Sequence, residues 1–373
     1  MPLIFNYPIT KLLNYQMHSK LQTLLTTIKA PDPVWRLRAQ EHLDQLTKPI
    51  GSLGRLEEVA AQMVAIQQTM SPKVAAKSVY VFAADHGIVE EGVSAYPSEV
   101  TRQMVLNFLN GGAAINAIAR KAQASVIVVD AGVDGDFTDH PGLIRRKVRR
   151  GTRNMLHAPA MTDDELGAAL QIGVDLAESA KERGISLIAV GEMGIGNTTA
   201  ASAITAALTG QPACKVTGAG AGLEPEALSH KARVVEAVLQ KHELSPARAV
   251  DALHVLRCVG GLEIAAITGM VLASASLRMA CVVDGFISTA AAAVAHFLQP
   301  HIREYLFAGH QSQEPGHKLL LNMVGLSPLL TLNMRLGEGT GAVLAFHLIE
   351  AAVSLFNEMA TFTQAKVSGA NAL

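Results

Sequence analysis

The chain has 373 residues, of which 49% are hydrophobic and 17% are charged, and its formal net charge is -1. This length and composition are typical of a globular protein of enzyme size with a large buried core. The balanced charge gives the chain no general attraction for nucleic acid or for an anionic membrane, so we expect neither as a partner.

The sequence favours a cytoplasmic protein. The apolar stretch from Ile264 to Leu277 ends at Arg278 and is shorter than the roughly 20 residues that span a bilayer, so we predict no membrane segment. The 3 cysteines are scattered without CxxC spacing. Neither a disulfide framework nor a thiolate metal cluster is therefore indicated, and a reducing compartment fits best.

Residues 1–16 carry few charges and do not have the pattern of a signal peptide. We expect them to form a disordered extension. A helical pattern of apolar residues starts at Met17 and continues to Ile28. Two interpretations of this start stay open: translation is initiated at Met17, or the extension packs on a partner.

Short runs rich in β-branched residues recur along the chain, and each is followed by a polar turn and an Ala/Leu-rich helical stretch. This alternation predicts an α/β fold with a doubly wound, mainly parallel, Rossmann-like sheet flanked by helices. The predicted strands include residues 79–82, 126–129, 187–190, 281–283 and 305–307. We expect a catalytic α/β domain at 76–340, and a smaller helical subdomain built from residues 17–75 and the C-terminal helical segment 341–373.

Two glycine-rich loops stand out among the polar turns. Residues 191–199 read GEMGIGNTT directly after a predicted strand, and residues 335–341 read RLGEGTG before the last long helix. Glycines let backbone N–H groups approach an anion, and a following helix N-terminus favours one. Since ligands bind at the carboxyl edge of such a sheet, the loops predict a site for a phosphorylated small molecule beside a carboxylate.

The acids in these loops have two interpretations each. Glu338 is either a reactive carboxylate or a first-turn acid that complements the helix dipole, and the glycines on both sides favour the reactive role. Glu192 has the same two interpretations. Its structural role has the slightly stronger case, because Asn197 and Thr198 are expected to cap the following helix themselves.

Other polar features favour structural roles. The basic run 145–150 is short, lacks interleaved aromatic residues and reads as solvated surface, with phosphate contact by Arg153 as the remaining alternative. His86, His310 and His317 lack the spacing of metal ligands, so we expect hydrogen-bonding loop residues and no metal. The order Thr162 to Glu165 predicts a helix cap. No P-loop signature is present in the sequence, and the glycines at 218–222 follow no predicted strand.

From about Met17 onward the sequence resembles the nicotinate-nucleotide–dimethylbenzimidazole phosphoribosyltransferase family. The resemblance rests on several long motifs in the same order: KPIGSLGRL at 48–56, ADHG at 84–87, GEMGIGNTT at 191–199, DGF at 284–286 and MRLGEG at 334–339. It implies transfer of the phosphoribosyl group of nicotinate mononucleotide to an aromatic lower base, with release of nicotinate and inversion at C1′. No cofactor and no metal are implied.

The resemblance also implies roles for individual residues. Glu338 matches the general base, and Glu192 would assist by orienting the base or by stabilising positive charge at the ribose carbon. The residues implied to hold phosphate and ribose are Gly194, Asn197, Thr198, Gly220, Lys231 and Ser312.

The implied base pocket consists of Tyr96, Met104, Met193 and Leu336. Members that activate benzimidazole resemble this chain less here, since they have serine, glutamine and leucine in place of the first three. Tyr and Met offer polarizable apolar surface and remove a polar partner for an imidazole ring. We therefore expect phenol or p-cresol as acceptors beside dimethylbenzimidazole, and the alternative is a repacked wall that preserves benzimidazole use.

The family resemblance implies a dimer, formed by two copies of this chain or with a paralogue. Two alternative functions stay open at this point. One is a nucleotide hydrolase that uses the same carboxylate on water. The other is a catalytically silent paralogue that binds a nucleotide and supports an active partner chain.

Overall fold

The computed structural model describes residues 15–220, 222–244 and 251–368. Residues 1–14 of the predicted N-terminal extension lie outside this part of the chain, so their disorder stays a prediction. Tyr15 and Gln16 belong to the first helix, which therefore begins two residues before the predicted start at Met17.

The core of the fold is a seven-stranded sheet in which every pair of neighbouring strands is parallel. The strand order β3-β2-β1-β4-β5-β6-β7 confirms the predicted doubly wound α/β architecture. The order reverses between β1 and β4, and in such sheets a crevice for ligands lies outside the carboxyl ends of the strands at this point. The strands are β1 Lys77–Ala84, β2 Ser125–Gly132, β3 Leu143–Arg145, β4 Leu187–Met193, β5 Ala280–Val283, β6 Leu306–His310 and β7 Pro328–Leu330.

Helices cover both faces of the sheet and connect the strands. Short 3₁₀ helices occupy Gly87–Glu91 and Pro300–Tyr305. The α-helices are α1 Tyr15–Thr27, α2 Pro33–Gln45, α3 Arg55–Gln67, α4 Glu99–Leu109, α5 Ala114–Lys121, α6 Asp163–Glu182, α7 Asn197–Thr209, α8 Ala213–Val216, α9 Pro225–Lys241, α10 Ala252–Val259, α11 Leu262–Ser276, α12 Phe286–Leu298, α13 Pro315–Val324, α14 Thr340–Glu358 and α15 Phe362–Ala365.

Local sequence explains the start of α6 and its close packing against α11. The capping box of Thr162 and Glu165 begins α6, as predicted. Helix α11 is buried along nearly its whole length and packs against α6. A Cβ atom on Gly173 of α6 or on Gly269 of α11 would collide with the backbone of the other helix. These two glycines therefore allow the close approach of the helices.

The N-terminal helices and the C-terminal segment contact each other. Helix α14 packs against α3, and the backbone N–H of Thr47 donates to the carbonyl of Ala360 at 3.0 Å. Helix α14 also packs against β4 and β6. In the described part of the chain it is the one helix that is long and apolar enough to cross a membrane, yet more than half of its apolar window is buried against the rest of the protein. The boundaries of a helical subdomain stay a prediction.

Candidate active site

A cavity of about 740 Å³ opens at the carboxyl edge of the sheet. It adjoins the point where the strand order reverses, where a doubly wound sheet binds its ligand. Every residue that the sequence predicts for the site lines this one cavity: Tyr96, Met104, Glu192, Met193, Gly194, Asn197, Thr198, Gly220, Lys231, Ser312, Leu336 and Glu338. His310, Glu314 and Arg335 also line the cavity, although the sequence does not predict them for the site.

Glu192 lies at the end of β4 with its side chain buried. The pKa of its carboxyl is raised to about 8, chiefly by burial; the hydrogen bond from Asn197 opposes this shift, and the negative charges of Asp284, Glu263 and Glu338 contribute to it. The Nδ2 atom of Asn197 donates to its Oε2 atom. The Glu192 carboxyl therefore holds a proton at neutral pH unless a cationic ligand lies beside it.

The expectation that Asn197 and Thr198 cap helix α7 is wrong. The N-cap residue is Gly196, with φ of 96°, and no side chain caps the helix. The Asn197 side chain reaches Glu192 instead, and the Thr198 hydroxyl accepts a hydrogen bond from Lys231. The polar side chains of this loop therefore face the cavity, and the first N–H groups of α7 are left without a side-chain partner.

Glu338 is held in a left-handed backbone conformation, with φ of 63°, between Gly337 and Gly339. Its Oε2 atom accepts a hydrogen bond of 3.1 Å from the backbone N–H of Ile115, at the start of α5. Burial raises the pKa of Glu338, the bond from Ile115 opposes this shift, and the charge of Asp284 adds to it. The carboxylate thus contacts a helix other than the one that it precedes, which argues against the first-turn interpretation.

Asp284, at the end of β5, fixes the loop that carries Glu338. Its Oδ2 atom accepts a hydrogen bond from the N–H of Gly339 at 3.1 Å, and its Oδ1 atom accepts one from the N–H of Ala342 at 2.9 Å. The Nε2 atom of His310 lies 3.7 Å from the same Oδ1 atom. The sequence analysis named Asp284 only as part of a motif, because a buried backbone contact has no sequence signature.

The two loops with the carboxylates pack directly on each other. A Cβ atom on Gly337 would collide with Oε1 of Glu192, and one on Gly191 would collide with the backbone of Glu338. The absence of side chains at these two glycines therefore lets Glu192 and Glu338 share one cavity.

Lys231 supplies a buried positive charge to the cavity. Its side chain is 1% exposed, and its Nζ atom donates to Thr198 Oγ1 at 2.8 Å and to the carbonyl of Gly218 at 3.1 Å. Burial lowers the pKa of Lys231 to about 8, against the charge of Glu314. Arg335 adds a second cation, and its guanidinium donates to the carbonyl of Gly220 at 2.7 Å. This part of the cavity is suited to an anion.

Ser312 follows β6 and is positioned by a buried histidine. Its backbone N–H donates to Nδ1 of His317 at 2.9 Å, and the Nε2 atom of that ring lies 2.9 Å from Thr289 Oγ1. Burial lowers the pKa of His317 to about 3, so the ring is neutral and Nε2 carries its proton. His317 therefore makes hydrogen bonds, as the sequence predicts, but it lies in α13 and not in a loop.

Apolar side chains form the remaining wall. Tyr96 is 49% exposed and Leu336 is 57% exposed, which places them at the mouth of the cavity. Met104 and Met193 are partly buried and pack against the core. A ligand group that contacts this wall meets polarizable apolar surface.

The basic run lies outside the cavity and is consistent with solvated surface. Arg146 pairs with Asp175 at 3.0 Å, and Arg153 pairs with Glu165 at 2.6 Å. His86 contacts Glu263 at 2.7 Å. Among the residues that the structure describes, no group of three or more His, Cys, Asp or Glu side chains is arranged to hold a metal ion.

Comparisons with known proteins extend over most of this architecture. A family model described as phosphoribosyltransferase matches residues 28–367, a range that includes every residue lining the cavity. The nicotinate-nucleotide–dimethylbenzimidazole phosphoribosyltransferase of Geobacter sulfurreducens is 55% identical over 93% of this chain and 98% of its own length. The enzyme of that name from Chlorobaculum tepidum is 48% identical over 95% of this chain and 100% of its own. A crystal structure of the Thermus thermophilus enzyme of that name aligns with a TM-score of 0.86 at 50% identity, covering 91% of this chain and 100% of that chain.

Proposed function

The chain belongs to the nicotinate-nucleotide–dimethylbenzimidazole phosphoribosyltransferase family and catalyses phosphoribosyl transfer in cobalamin lower-ligand assembly, and we propose that Glu338 is the general base of this transfer. The observation that carries the proposal is a buried carboxylate in the cavity, held by the N–H of Ile115. Such a fixed carboxylate with a raised pKa is suited to accept a proton.

The reaction that we propose has one bond broken and one formed at C1′ of the ribose. The bond from C1′ to the pyridinium nitrogen of nicotinate mononucleotide breaks, and its electron pair leaves with nicotinate, which needs no proton. A nitrogen or oxygen of the acceptor base forms the new bond on the opposite face. The proton that the acceptor loses, from the N–H of a benzimidazole ring or from the O–H of a phenol, passes to Glu338. A second carboxyl acting as general acid is not required, unlike in most glycoside hydrolases.

Glu192 assists in this proposal, either by orienting the acceptor base or by stabilising positive charge at C1′. Its contact with the Glu338 loop through Gly337 supports a place beside the reacting carbon. The negative form is the one that stabilises positive charge, and a cation in the cavity would lower the raised pKa of Glu192.

We assign the phosphate and ribose of the nucleotide to the part of the cavity around Lys231. Gly194, Asn197 and Thr198 come from the glycine loop that begins α7, where the helix N-terminus has no side-chain cap and favours an anion. Gly220 and Ser312 line the same cavity. The ammonium group of Lys231 supplies the compensating charge.

The decisive test is Glu338→Gln, which removes the base and preserves the volume of the side chain. Purified protein is incubated with nicotinate mononucleotide and dimethylbenzimidazole, and the ribosylated product is measured by mass spectrometry. We expect the rate to fall about 100-fold or more while nucleotide affinity is preserved. An unchanged rate would remove Glu338 from the mechanism. Nicotinate released without any base would favour a hydrolase, and no product from the unaltered protein would favour a silent paralogue.

We further propose that the acceptor pocket admits phenol or p-cresol beside dimethylbenzimidazole. Tyr96, Met104 and Met193 support this by giving the wall an apolar character. Competition between equal amounts of dimethylbenzimidazole and p-cresol tests the proposal, since an O-linked p-cresol product is required. Benzimidazole product alone would mean that these residues only repack the wall.

We propose a dimer in the cytoplasm as the working form, made of two copies of this chain or of this chain and a paralogue. The scattered cysteines support a reducing compartment. Light scattering of the purified protein at micromolar concentration tests the oligomeric state, and a mass equal to one chain would exclude the homodimer.

A further inference from the structure

Glu314 lines the cavity, and one of its carboxylate oxygens is buried without a hydrogen-bond partner. The residue is 6% exposed, and its Oε1 atom accepts a hydrogen bond from the N–H of Gly220 at 2.9 Å. Its Oε2 atom is buried and unpaired. A buried carboxylate oxygen without a partner is unfavourable, so its persistence points to a ligand that supplies a donor.

Structural roles account for the Oε1 atom, which holds Gly220, and for a negative charge near Lys231, but not for the unpaired Oε2 atom. Glu314 is the N-cap residue of α13, but its side chain makes no capping bond. A Cβ atom on Gly218 would collide with Oε2, so the glycine leaves room for that oxygen. The main-chain N–H of Glu314 donates to Ser312 Oγ at 3.3 Å, which links it to the loop after β6.

The partner of Oε2 must be a hydrogen-bond donor, which excludes most of the nucleotide. The phosphate and the nicotinate carboxylate are acceptors, and both repel a carboxylate. Nicotinate mononucleotide has its strong donors in the two ribose hydroxyl groups. The proton of the acceptor base is already assigned to Glu338. The neighbouring Lys231 is the cation assigned to the phosphate, so the ribose lies within reach of this corner of the cavity.

We propose that Glu314 accepts a hydrogen bond from a ribose hydroxyl and thereby selects ribonucleotides over deoxyribonucleotides. The inference rests on the proposed function, because it takes the nucleotide as the ligand of this cavity. Glu314 is then a specificity-determining residue of the transfer reaction. The hydrogen bond from Gly220 to Oε1 fixes the carboxylate, and Oε2 accepts the hydrogen bond from the ribose hydroxyl.

The test compares nicotinate mononucleotide with its 2′-deoxy and 3′-deoxy analogues in the unaltered protein and in Glu314→Ala. We measure kcat/KM for transfer and, separately, the dissociation constant of each nucleotide by calorimetry. In the unaltered protein, loss of the hydroxyl that donates to Glu314 should lower nucleotide affinity and kcat/KM about 10- to 100-fold, as for a charged hydrogen bond. In Glu314→Ala the affinity and kcat/KM of the same analogue should differ from those of the full nucleotide by less than about threefold. Each protein gives a ratio of kcat/KM for the full nucleotide to kcat/KM for the analogue. Dividing the ratio of the unaltered protein by that of Glu314→Ala cancels the intrinsic reactivity of the deoxyribosides.

Two controls separate this role from loop support. Glu314→Gln retains an acceptor for Gly220, and Glu58→Ala removes an exposed glutamate of α3. Glu58→Ala should leave every ratio unchanged. The inference would be overturned if, for each of the two ribose hydroxyls, its removal lowered affinity by the same factor in the unaltered protein and in Glu314→Ala. The dissociation constants from calorimetry test the role of Glu314 even when no transfer occurs. Absence of product contradicts the proposed function and leaves the role of Glu314 to be decided by these constants.

Discussion

The carboxylate of Glu338 accepts its hydrogen bond from the N–H of Ile115, which lies 223 positions earlier in the chain. Ile115 is in the first turn of α5, where backbone N–H groups have no partner within the helix. The helix thus gives the carboxylate a fixed donor and a favourable dipole. Burial and the charge of Asp284 act against that stabilisation and raise the pKa of Glu338. The opposing effects leave a carboxylate that is both fixed and basic.

The raised pKa of Glu338 predicts how transfer depends on pH. A general base acts as the carboxylate, so kcat/KM should rise with pH through the pKa of Glu338 and fall about tenfold per unit below it. The midpoint should lie above 4.5, the ordinary value for glutamate. Initial rates between pH 4.5 and 8 measure it. The residual activity of Glu338→Gln should not show this fall at low pH. A fall with the same midpoint in that variant would assign the titration to another group.

The raised pKa of Glu192 predicts that Glu192→Gln stabilises the protein at neutral pH. Between 4.5 and about 8 the folded state binds a proton that the unfolded state has released, so stability falls as pH rises through this range. Each pH unit corresponds to about 1.4 kcal/mol, and we expect a gain on the order of 2–3 kcal/mol at pH 7. Denaturant unfolding at pH 5 and 7 measures the difference. The gain should be small at pH 5, and equal stabilities at both values of pH would contradict the buried, protonated state.

The contact between Gly337 and Glu192 predicts an effect of Gly337→Ala on activity. Gly337 has φ of 89°, and an added Cβ would collide with Oε1 of Glu192. The matched control is Gly184→Ala, where φ is 72° and no atom lies within 4 Å of the added Cβ. Both variants should lose about 1–2 kcal/mol of stability from the left-handed backbone. Only Gly337→Ala should lose transfer activity, by about tenfold or more, and equal activities would mean that the loop yields without displacing Glu192.

The apolar wall predicts that Met104→Gln shifts the choice of acceptor. Glutamine offers a hydrogen bond to an imidazole ring, worth about 1 kcal/mol, so the ratio of benzimidazole to p-cresol product should rise about fivefold. Product ratios in the competition assay measure the shift. Met323→Gln, at a partly buried methionine of α13 outside the cavity, is the control and should leave the ratio unchanged. An unaltered ratio in Met104→Gln would remove this residue from acceptor choice.

The sequence predicts most of the sheet because its central strands are buried on both faces. Apolar runs that end in polar turns identify β1, β2, β4, β5 and β6. The strands β3 and β7 each have three residues, lie at the two edges and are not fully buried, so neither gives a continuous apolar run. The existence of buried strands is therefore predictable, whereas short edge strands are set by tertiary pairing.

The location of the site is also predictable, because loops after parallel strands meet at one edge. The contacts within it are not. Glycines around Glu338 mark a functional loop in the sequence, but Ile115 and Asp284 reach that loop through backbone groups that have no residue signature. Glu314 has no flanking glycine before it, and the one available signal is its place four residues after β6 and directly before Pro315 at a helix start.

The order in which the ribosome makes the chain has a consequence for the Ile115 to Glu338 contact. Helix α5 and all seven described strands are synthesised before Glu338 and α14. A nascent chain that ends after the glycine loop at 191–199 lacks both Glu338, the proposed base, and the helix whose first turn Asp284 holds. Catalytic competence is therefore acquired late in synthesis, and a fragment that stops before Glu338 cannot contain a complete site.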